Sequence, residues 1–422
     1  MSAPAASVPQ TLDQLGMDRK ILEDLTLKLV YLSGDLSLLD LANRMRLPLA
    51  IVQELFQRLR KEQLCEVTGT GLVRDVHQVR VNSQGRTRAI ELLTLNQYTG
   101  PAPVSLSDYV ARVQLQSIRN VRIYPKDLNE ALAHLVLEKQ TTIQLGTAMT
   151  SGKSVFLYGP SGAGKSTLAE AASKVFSVDT VWIPYAVEVD GQIITVYDSV
   201  IHDAVTESEE PISFERQQID TRWVLCQRPR VLVGGELTIE MLDLQFDPIA
   251  KFYAGPVQMK ANNGVLIVDD FGRQRLRPEE LLNRWVVPLD RRIDFLTLAG
   301  GRKINIPFDL FVVFATNLDP AQLVDAAFLR RIQTKIKLDA ITAEQFQEIF
   351  QRVCGEFGLT YDAGVAHILI GIIRDELKEP LRACYPRDIV EQICWAAGYQ
   401  GFQPQISLEA AIQACRNYFL SR

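Results

Sequence analysis

The chain has 422 residues, a net charge of −5, a hydrophobic fraction of 47% and a charged fraction of 23%. At roughly 150 residues per domain this is two or three domains, long enough to need no disulfide or metal staple for a core. The mild acidity excludes a chain whose whole surface recruits nucleic acid and leaves only a local basic patch for that role. The six cysteines form no CxxC pair, and the four histidines have no zinc-type spacing with them. They read as buried or idle thiols in a reducing cytoplasm. Residues 1–10 lack the charged and apolar regions of a secretory signal and read as a frayed tail. Apolar stretches such as residues 365–373 fall far below the roughly 20 residues that span a bilayer, so no membrane is expected.

Leu22, Leu25, Leu29 and Leu32 are spaced for one buried helix face, and Ser33-Gly34-Asp35 ends it. A second helix is expected over residues 36–45. A third is expected over 48–62, with Pro48 at its first turn and Ile51, Leu55 and Leu59 on one face. Two strands, 64–68 and 76–81, flank Gly69-Thr70-Gly71 as a hairpin. Helix, helix, helix, hairpin is the order of a winged helix-turn-helix, assigned to residues 1–98. Arg58, Arg60, Lys61, Arg74, Arg80, Arg86 and Arg88 offer a DNA surface. Glu54, Glu62, Glu66 and Asp75 dilute it, so a partner-docking role is favoured over DNA.

Residues 99–125 read as a connector. The turn-rich 98–103 opens it, a short helix follows from Ser105 or Ser107, and 119–125 is extended. The strand 155–158 then runs into Gly159-Pro160-Ser161-Gly162-Ala163-Gly164-Lys165-Ser166-Thr167 and a helix-forming stretch. This is a phosphate-binding loop in its required strand–loop–helix setting. Its glycines let successive N–H groups turn inward onto phosphate oxygens, and the helix start adds partial positive charge. Lys165 is a point charge for the β- and γ-phosphates of a nucleotide, and Ser166 is a hydroxyl ligand for Mg²⁺; the loop alone does not choose between kinase, GTPase and ATPase.

The apolar strand 264–268 ends in Asp269, placed to hold the Mg²⁺ shell, and Asp270, placed to polarise a water. The strand 311–315 ends in Thr316-Asn317, whose amide sits where it can position that water, or where it merely caps a turn. No N-K-x-D base-reading motif points to a GTPase.

In this order the motifs resemble the AAA+ ATPases over residues 126–422. The resemblance implies an α/β P-loop core with a parallel sheet (126–340) and a C-terminal helical lid (341–422). It makes Asn317 a sensor and 327–332 an arginine-finger segment, with Arg331 favoured over Arg330 to reach a neighbouring subunit's nucleotide. Arg387, opening the third lid helix, is similar to the family's second sensor and implies a contact to the nucleotide of its own subunit. Four lid helices are expected, over 343–357, 363–377, 386–397 and 408–419.

Asp270 stands where most of the family has glutamate. The long gap between Lys165 and Asp269 implies an insertion at about 190–263, after a first strand at 180–187. Within it, 222–226 and 230–233 read as a hairpin. Phe252-Tyr253 reads as a packed turn in preference to a substrate-gripping loop. The hairpin 292–297/303–306 resembles the pre-sensor-1 insertion of the MoxR-like group.

The cysteines and the lack of a signal or spanning stretch lead to a cytoplasmic expectation, and the resemblance implies a hexamer-type homo-oligomeric ring that hydrolyses ATP with Mg²⁺ and remodels protein clients. An ATP-controlled DNA-binding regulator is the alternative. A compact P-loop kinase has no use for a finger and a large lid.

Overall fold

The structure is a computed structural model describing residues 4–70, 77–205, 219–323 and 326–419. The hairpin turn at Gly71, with Arg74, Asp75 and Val76, lies outside the described residues. The N-terminal elements run helix Arg19–Ser33, strand Leu36–Ser37, helices Leu38–Met45 and Leu49–Lys61, strands Cys65–Thr70 and His77–Val81, and helix Ser83–Leu95. The helix starts are set locally. Asp18, Ser37 and Asn82 each accept a backbone N–H of the first turn, a cap that contributes about 1 kcal/mol. Pro48 is the residue before the third helix, not its first turn. Leu32 is 57% exposed, so the buried face of the first helix ends at Val30.

The nucleotide-binding half is a five-stranded parallel sheet. Its order is Arg230–Val233, Val265–Val268, Phe311–Thr316, Val155–Tyr158 and Thr334–Lys337. The central strands are apolar on both faces, as a sheet covered on both sides requires. Phe156, Phe271, Phe314, Trp285 and Phe308 pack as a chain of tilted and edge-on rings on one of those faces. The expected α/β P-loop core and helical lid are both present. The lid consists of helices Ala343–Glu356, Ala363–Gly371 (continued by a π-turn, Ile372–Glu376), Tyr385–Gln400 and Leu408–Tyr418 around their own core. A complete capping box at Thr342 and Gln345 fixes where it begins.

Several expectations change. The stretch 180–187 is two strands, Thr180–Pro184 and Ala186–Val189, and neither enters the parallel sheet. The first pairs antiparallel with Trp223–Gln227. The expected hairpin of 222–226 with 230–233 is therefore absent, because Arg230–Val233 is the outer parallel strand beside Val265–Val268. The second joins a small sheet ordered Gln245–Phe246, Tyr253–Ala254, Gln192–Thr195, Ala186–Val189 and Val104–Ser105. The supposed connector thus supplies an edge strand and a helix, Leu106–Leu115, capped by Ser105. Near its end, Ile118–Asn120 is a 3₁₀ turn and Pro125 opens a helix, so 119–125 is not simply extended.

The N-terminal elements are bonded to this small sheet. Ala186, Ile193 and Phe252 complete their core, and backbone bonds link Ala102 N to Met45 O (2.8 Å) and Gln97 N to Ala250 O (2.8 Å). Tyr253 is 2% exposed and Phe252 packs edge-on against Tyr98. The packed-turn expectation for this pair holds and neither ring is a free gripping loop. The tail is not frayed from residue 4 onward, since Ala6 O accepts from Asp220 N at 2.9 Å and Pro9 is buried.

A buried polar cluster joins insertion and core. Asn263 Nδ2 donates to Asp309 Oδ2 (2.7 Å) and Val113 O (2.8 Å), and Gln116 Nε2 donates to Asn263 Oδ1 (2.9 Å). Arg228 donates to Asn263 O and pairs with Asp179 at 2.8 Å. Polar groups this buried are retained because they satisfy one another.

Candidate functional site

The loop 159–164 joins a buried strand to the helix Lys165–Ser173. Gly159, Gly162 and Gly164 all have left-handed φ (143°, 76° and 87°), which a side chain resists. At Gly159 a Cβ would also lie 2.0 Å from Leu338 O, so the loop closes directly on the strand end that leads into the lid. Lys165 is buried, 6% exposed, with Nζ donating to Gly159 O (3.0 Å), Pro160 O (2.8 Å) and Asn317 Oδ1 (2.6 Å). Burial holds its pKa below the ordinary lysine value; Asp270 and Asp269 oppose that shift and the Arg273 charge adds to it.

Asn317 is the bridge. Its Nδ2 donates to Asp270 Oδ1 at 3.1 Å, so one amide touches both the loop lysine and the second acid. Ser166 Oγ donates to Asp269 Oδ1 at 2.8 Å. Three separate stretches of chain are brought to one corner because their strands are neighbours in the sheet and end at the same edge. A hydroxyl and a carboxylate side by side form a hard oxygen-donor pair that fits Mg²⁺, an ion that takes one or two protein oxygens and completes its shell with water and phosphate. Among the described residues no group of three or more His, Cys, Asp or Glu forms a self-sufficient metal cage.

A cavity of about 550 Å³ opens beside this corner. Its wall includes Ser161 through Thr167, Asp270, Asn317 and Arg387. Gly159 and Pro160 contribute their carbonyls to Lys165 instead. Arg387 reaches the cavity from the lid and pairs there with Glu356, both side chains about half exposed (47% and 48%). A pair this exposed contributes little stability. The lid also touches the loop itself: Cys384 N donates to Gly162 O at 3.2 Å and Arg382 Nη1 to Ser161 O at 3.3 Å.

Two expected residues lie elsewhere. Neither Arg330 nor Arg331 lines the cavity. Arg331 pairs with Asp290 at 2.9 Å and is 18% exposed, whereas Arg330 is exposed. One part of the site was missed. His134 to Glu138 and Thr141, with Ile349, Arg352 and Val353 of the first lid helix, line the same cavity beyond the phosphate loop. Arg352 Nη1 donates to Ala133 O at 2.7 Å, clasping these walls. They carry no motif, and only the distance between loop and lid places them.

The family described as "Domain of unknown function (DUF8689)" matches residues 342–417, the lid. No curated protein matches the chain. Among solved structures, a point mutant of Thermotoga maritima RuvB is similar at 13% identity, covering 72% of each chain with a TM-score of 0.36. NtrX from Brucella abortus in complex with ATP is similar at 14% identity, covering 72% of this chain and 59% of that one, with a TM-score of 0.38. Thermotoga maritima RuvB described as a Holliday junction branch migration motor is similar at 14% identity over 66% and 67%, with a TM-score of 0.37. Among the described residues no helix is long and apolar enough to cross a membrane.

Proposed function

We propose that this chain is an ATPase of AAA+ type that binds Mg-ATP between its phosphate loop and lid, hydrolyses it, and works as a ring of like subunits on protein clients. The observation that carries the reading is the contact set Lys165–Asn317–Asp270 beside Ser166–Asp269, assembled from three strand ends. The loop N–H groups and Lys165 hold the β- and γ-phosphates. Ser166 and the Asp269 carboxylate would hold Mg²⁺, which when bound would supply positive charge against the phosphate oxygens. Asp270, oriented by Asn317, accepts hydrogen bonding from the attacking water. Arg387 gives up Glu356 for the nucleotide and couples the lid to it. The walls from His134 to Glu138 and from Ile349 to Val353 take the base.

Arg330 is the better arginine finger on exposure, because Arg331 is already held by Asp290. A finger that serves a neighbouring subunit belongs outside its own cavity, which fits both residues' absence from the wall. The direct experiment is ATP turnover by the full chain and by Lys165→Ala. Turnover that survives unchanged in the variant sinks the assignment.

The N-terminal elements serve better as a winged-helix protein-docking module than as a DNA reader. Arg58, Arg80 and Arg88 pair with Glu54, Glu66 and Glu91 respectively, which leaves fewer cations for phosphate. Salt-dependent binding of duplex DNA by the full chain tests the alternative, a nucleotide-controlled regulator. Pull-down of clients with an Asp270→Asn trap tests the remodeller.

A further inference from the structure

We propose that Arg352, on the first lid helix, is the positioning residue that sets the width of the cavity where the base of ATP binds, by tying the lid to the chain segment opposite. This rests on the ATP reading above and adds a residue to it. The two walls of that half of the cavity belong to different bodies. Residues 134–138 belong to the α/β core, since Leu132, Leu135 and Leu137 pack with its buried residues. Ile349, Arg352 and Val353 belong to the lid, whose own core includes Phe346, Phe350 and Val353. Arg352 crosses from one body to the other. Its Nη1 donates to Ala133 O at 2.7 Å and to Leu135 O at 3.3 Å, and its Nη2 donates to Glu348 Oε1 at 2.6 Å.

Each of those bonds has a reason in the local chain. Residues 132–138 join the helices Pro125–Ala131 and Lys139–Ser151 and lie outside helix and strand. Among the described residues no backbone N–H reaches Ala133 O or Leu135 O, so the guanidinium is the protein partner of both carbonyls. Glu348, four residues earlier on the same helix, steadies the guanidinium and balances its charge. The guanidinium is a rigid planar fork, so holding two carbonyls at once fixes the segment against the helix. The phosphate end is built differently. Lys165, the loop N–H groups and the Ser166–Asp269 pair all sit on the core. The lid bonds to the loop there at longer range, Cys384 N to Gly162 O at 3.2 Å and Arg382 Nη1 to Ser161 O at 3.3 Å. Loss of Arg352 therefore parts the base walls and leaves those phosphate groups in place. A flat base gains from its walls only while the gap matches its thickness, and an opening of about 1 Å already forfeits up to about half of the dispersion contact.

The test is calorimetric titration of the full chain with ATPγS and with tripolyphosphate, which has the phosphates and no base, each with Mg²⁺. Wild type, Arg352→Ala, Arg352→Lys and Lys165→Ala are compared. Arg352→Ala is expected to bind ATPγS about tenfold more weakly, the order of one lost charged hydrogen bond, with tripolyphosphate nearly unchanged. Arg352→Lys keeps a cation and its donors without the planar fork and is expected to fall between. In turnover, Arg352→Ala is expected to raise KM for ATP by more than it lowers kcat. Equal loss of both ligands in both Arg352 variants, which a general loosening of the lid produces, overturns the proposal, and so does loss of neither. A fall in kcat at unchanged KM puts the residue in the chemical step and also overturns it. The underlying reading fails separately: Lys165→Ala that binds both ligands like wild type sinks the ATP site itself, whereas loss there with unaffected Arg352 variants sinks this inference alone.

Discussion

Ser166 Oγ donates to Asp269 Oδ1 at 2.8 Å, joining the first turn of the phosphate-loop helix to the end of Val265–Val268, across the intervening strand Phe311–Thr316. Both oxygens lie where a single Mg²⁺ can take them. Asp269→Asn keeps the shape and removes the charge that a hard cation needs. Its ATP affinity is expected to lose most of its Mg²⁺ dependence while metal-free nucleotide binding persists. Fluorescent-nucleotide titration with Mg²⁺ and with EDTA checks this. A variant whose Mg²⁺ dependence matches wild type removes Asp269 from the metal shell.

Gly162 and Cys384 meet where the lid rests on the loop, with Cys384 N donating to Gly162 O at 3.2 Å. A Cβ at Gly162 would lie 2.5 Å from Cys384 Sγ. Gly162→Ala must therefore displace the Cys384 side chain or the lid that carries it, as well as strain a left-handed residue by about 1–2 kcal/mol. Nucleotide affinity is expected to fall, with partial recovery in Gly162→Ala/Cys384→Ala, which removes the colliding sulfur and keeps the strain. An equal loss in both variants confines the effect to the backbone.

The phosphate loop and the lid were legible because their signals are local. The loop needs only its own glycines and the flanking strand and helix, and the lid helices carry 3.6-residue periodicity and side-chain caps such as Thr342, Asp362 and Ser407. The hairpin Ile293–Thr297/Lys303–Pro307 was legible through its alternation around Gly300-Gly301. The outer core strand was not. Thr180–Pro184 and Arg230–Val233 are both short, apolar and β-branched, and sequence alone does not say which of them pairs with Val265–Val268. The small sheet was invisible for a related reason. Its strands are two to four residues long and come from segments as distant as Val104 and Tyr253. In the site, the residues beyond the phosphate loop were missed because a wall made of Leu135, Val136 and Ile349 looks like any core.

The exposure difference between Arg330 and Arg331 gives their variants different expected outcomes under the proposed function. Arg331→Ala removes the Asp290 pair and is expected to cost about 1 kcal/mol or less of stability, with a small change in turnover. Arg330→Ala is expected to leave stability unchanged and lower turnover by about a thousandfold, the order of a lost arginine finger. Thermal melts and steady-state ATPase assays on both variants decide it. The reverse pattern returns the role to Arg331.

His202 gives the insertion a pH dependence. The ring is 2% exposed, its Nδ1 accepts from Asp198 N at 2.9 Å, and its Nε2–H donates to Lys260 O at 2.8 Å. Burial lowers its pKa below the usual 6.5, outweighing the attraction of Asp198 and Asp203, while the Lys260 charge lowers it further. A depressed histidine pKa means that the unfolded chain binds the proton first. The contribution is therefore whole above about pH 6.5 and is lost as pH falls toward the folded value. Urea melts at about pH 7.5 and about pH 5.5 are expected to show this loss, and His202→Asn to show a shallower acid slope from a lower starting stability. An unchanged slope in the variant assigns the acid sensitivity to another group.

Asp220 and Arg222 are both about 4% exposed and bonded twice over: Arg222 Nη2 donates to Asp220 Oδ2 at 2.7 Å and Nε to Oδ1 at 3.0 Å. The remaining guanidinium nitrogen donates to Pro103 O at 3.1 Å, and Asp220 N donates to Ala6 O. The buried side-chain pair thus ties the segment leading to the edge strand Val104–Ser105 to the approach to Trp223–Gln227, and the Asp220 backbone adds the bond to the tail. Removing one partner leaves a buried charge unmatched, so Asp220→Ala is expected to cost about 3–5 kcal/mol. Replacing both with apolar residues of similar volume strands no charge and is expected to recover most of that loss, although Pro103 O then loses its donor. Chemical denaturation of the two single variants and the double variant measures the coupling. A double variant as unstable as the sum of its singles shows that the two side chains act independently and not as a pair.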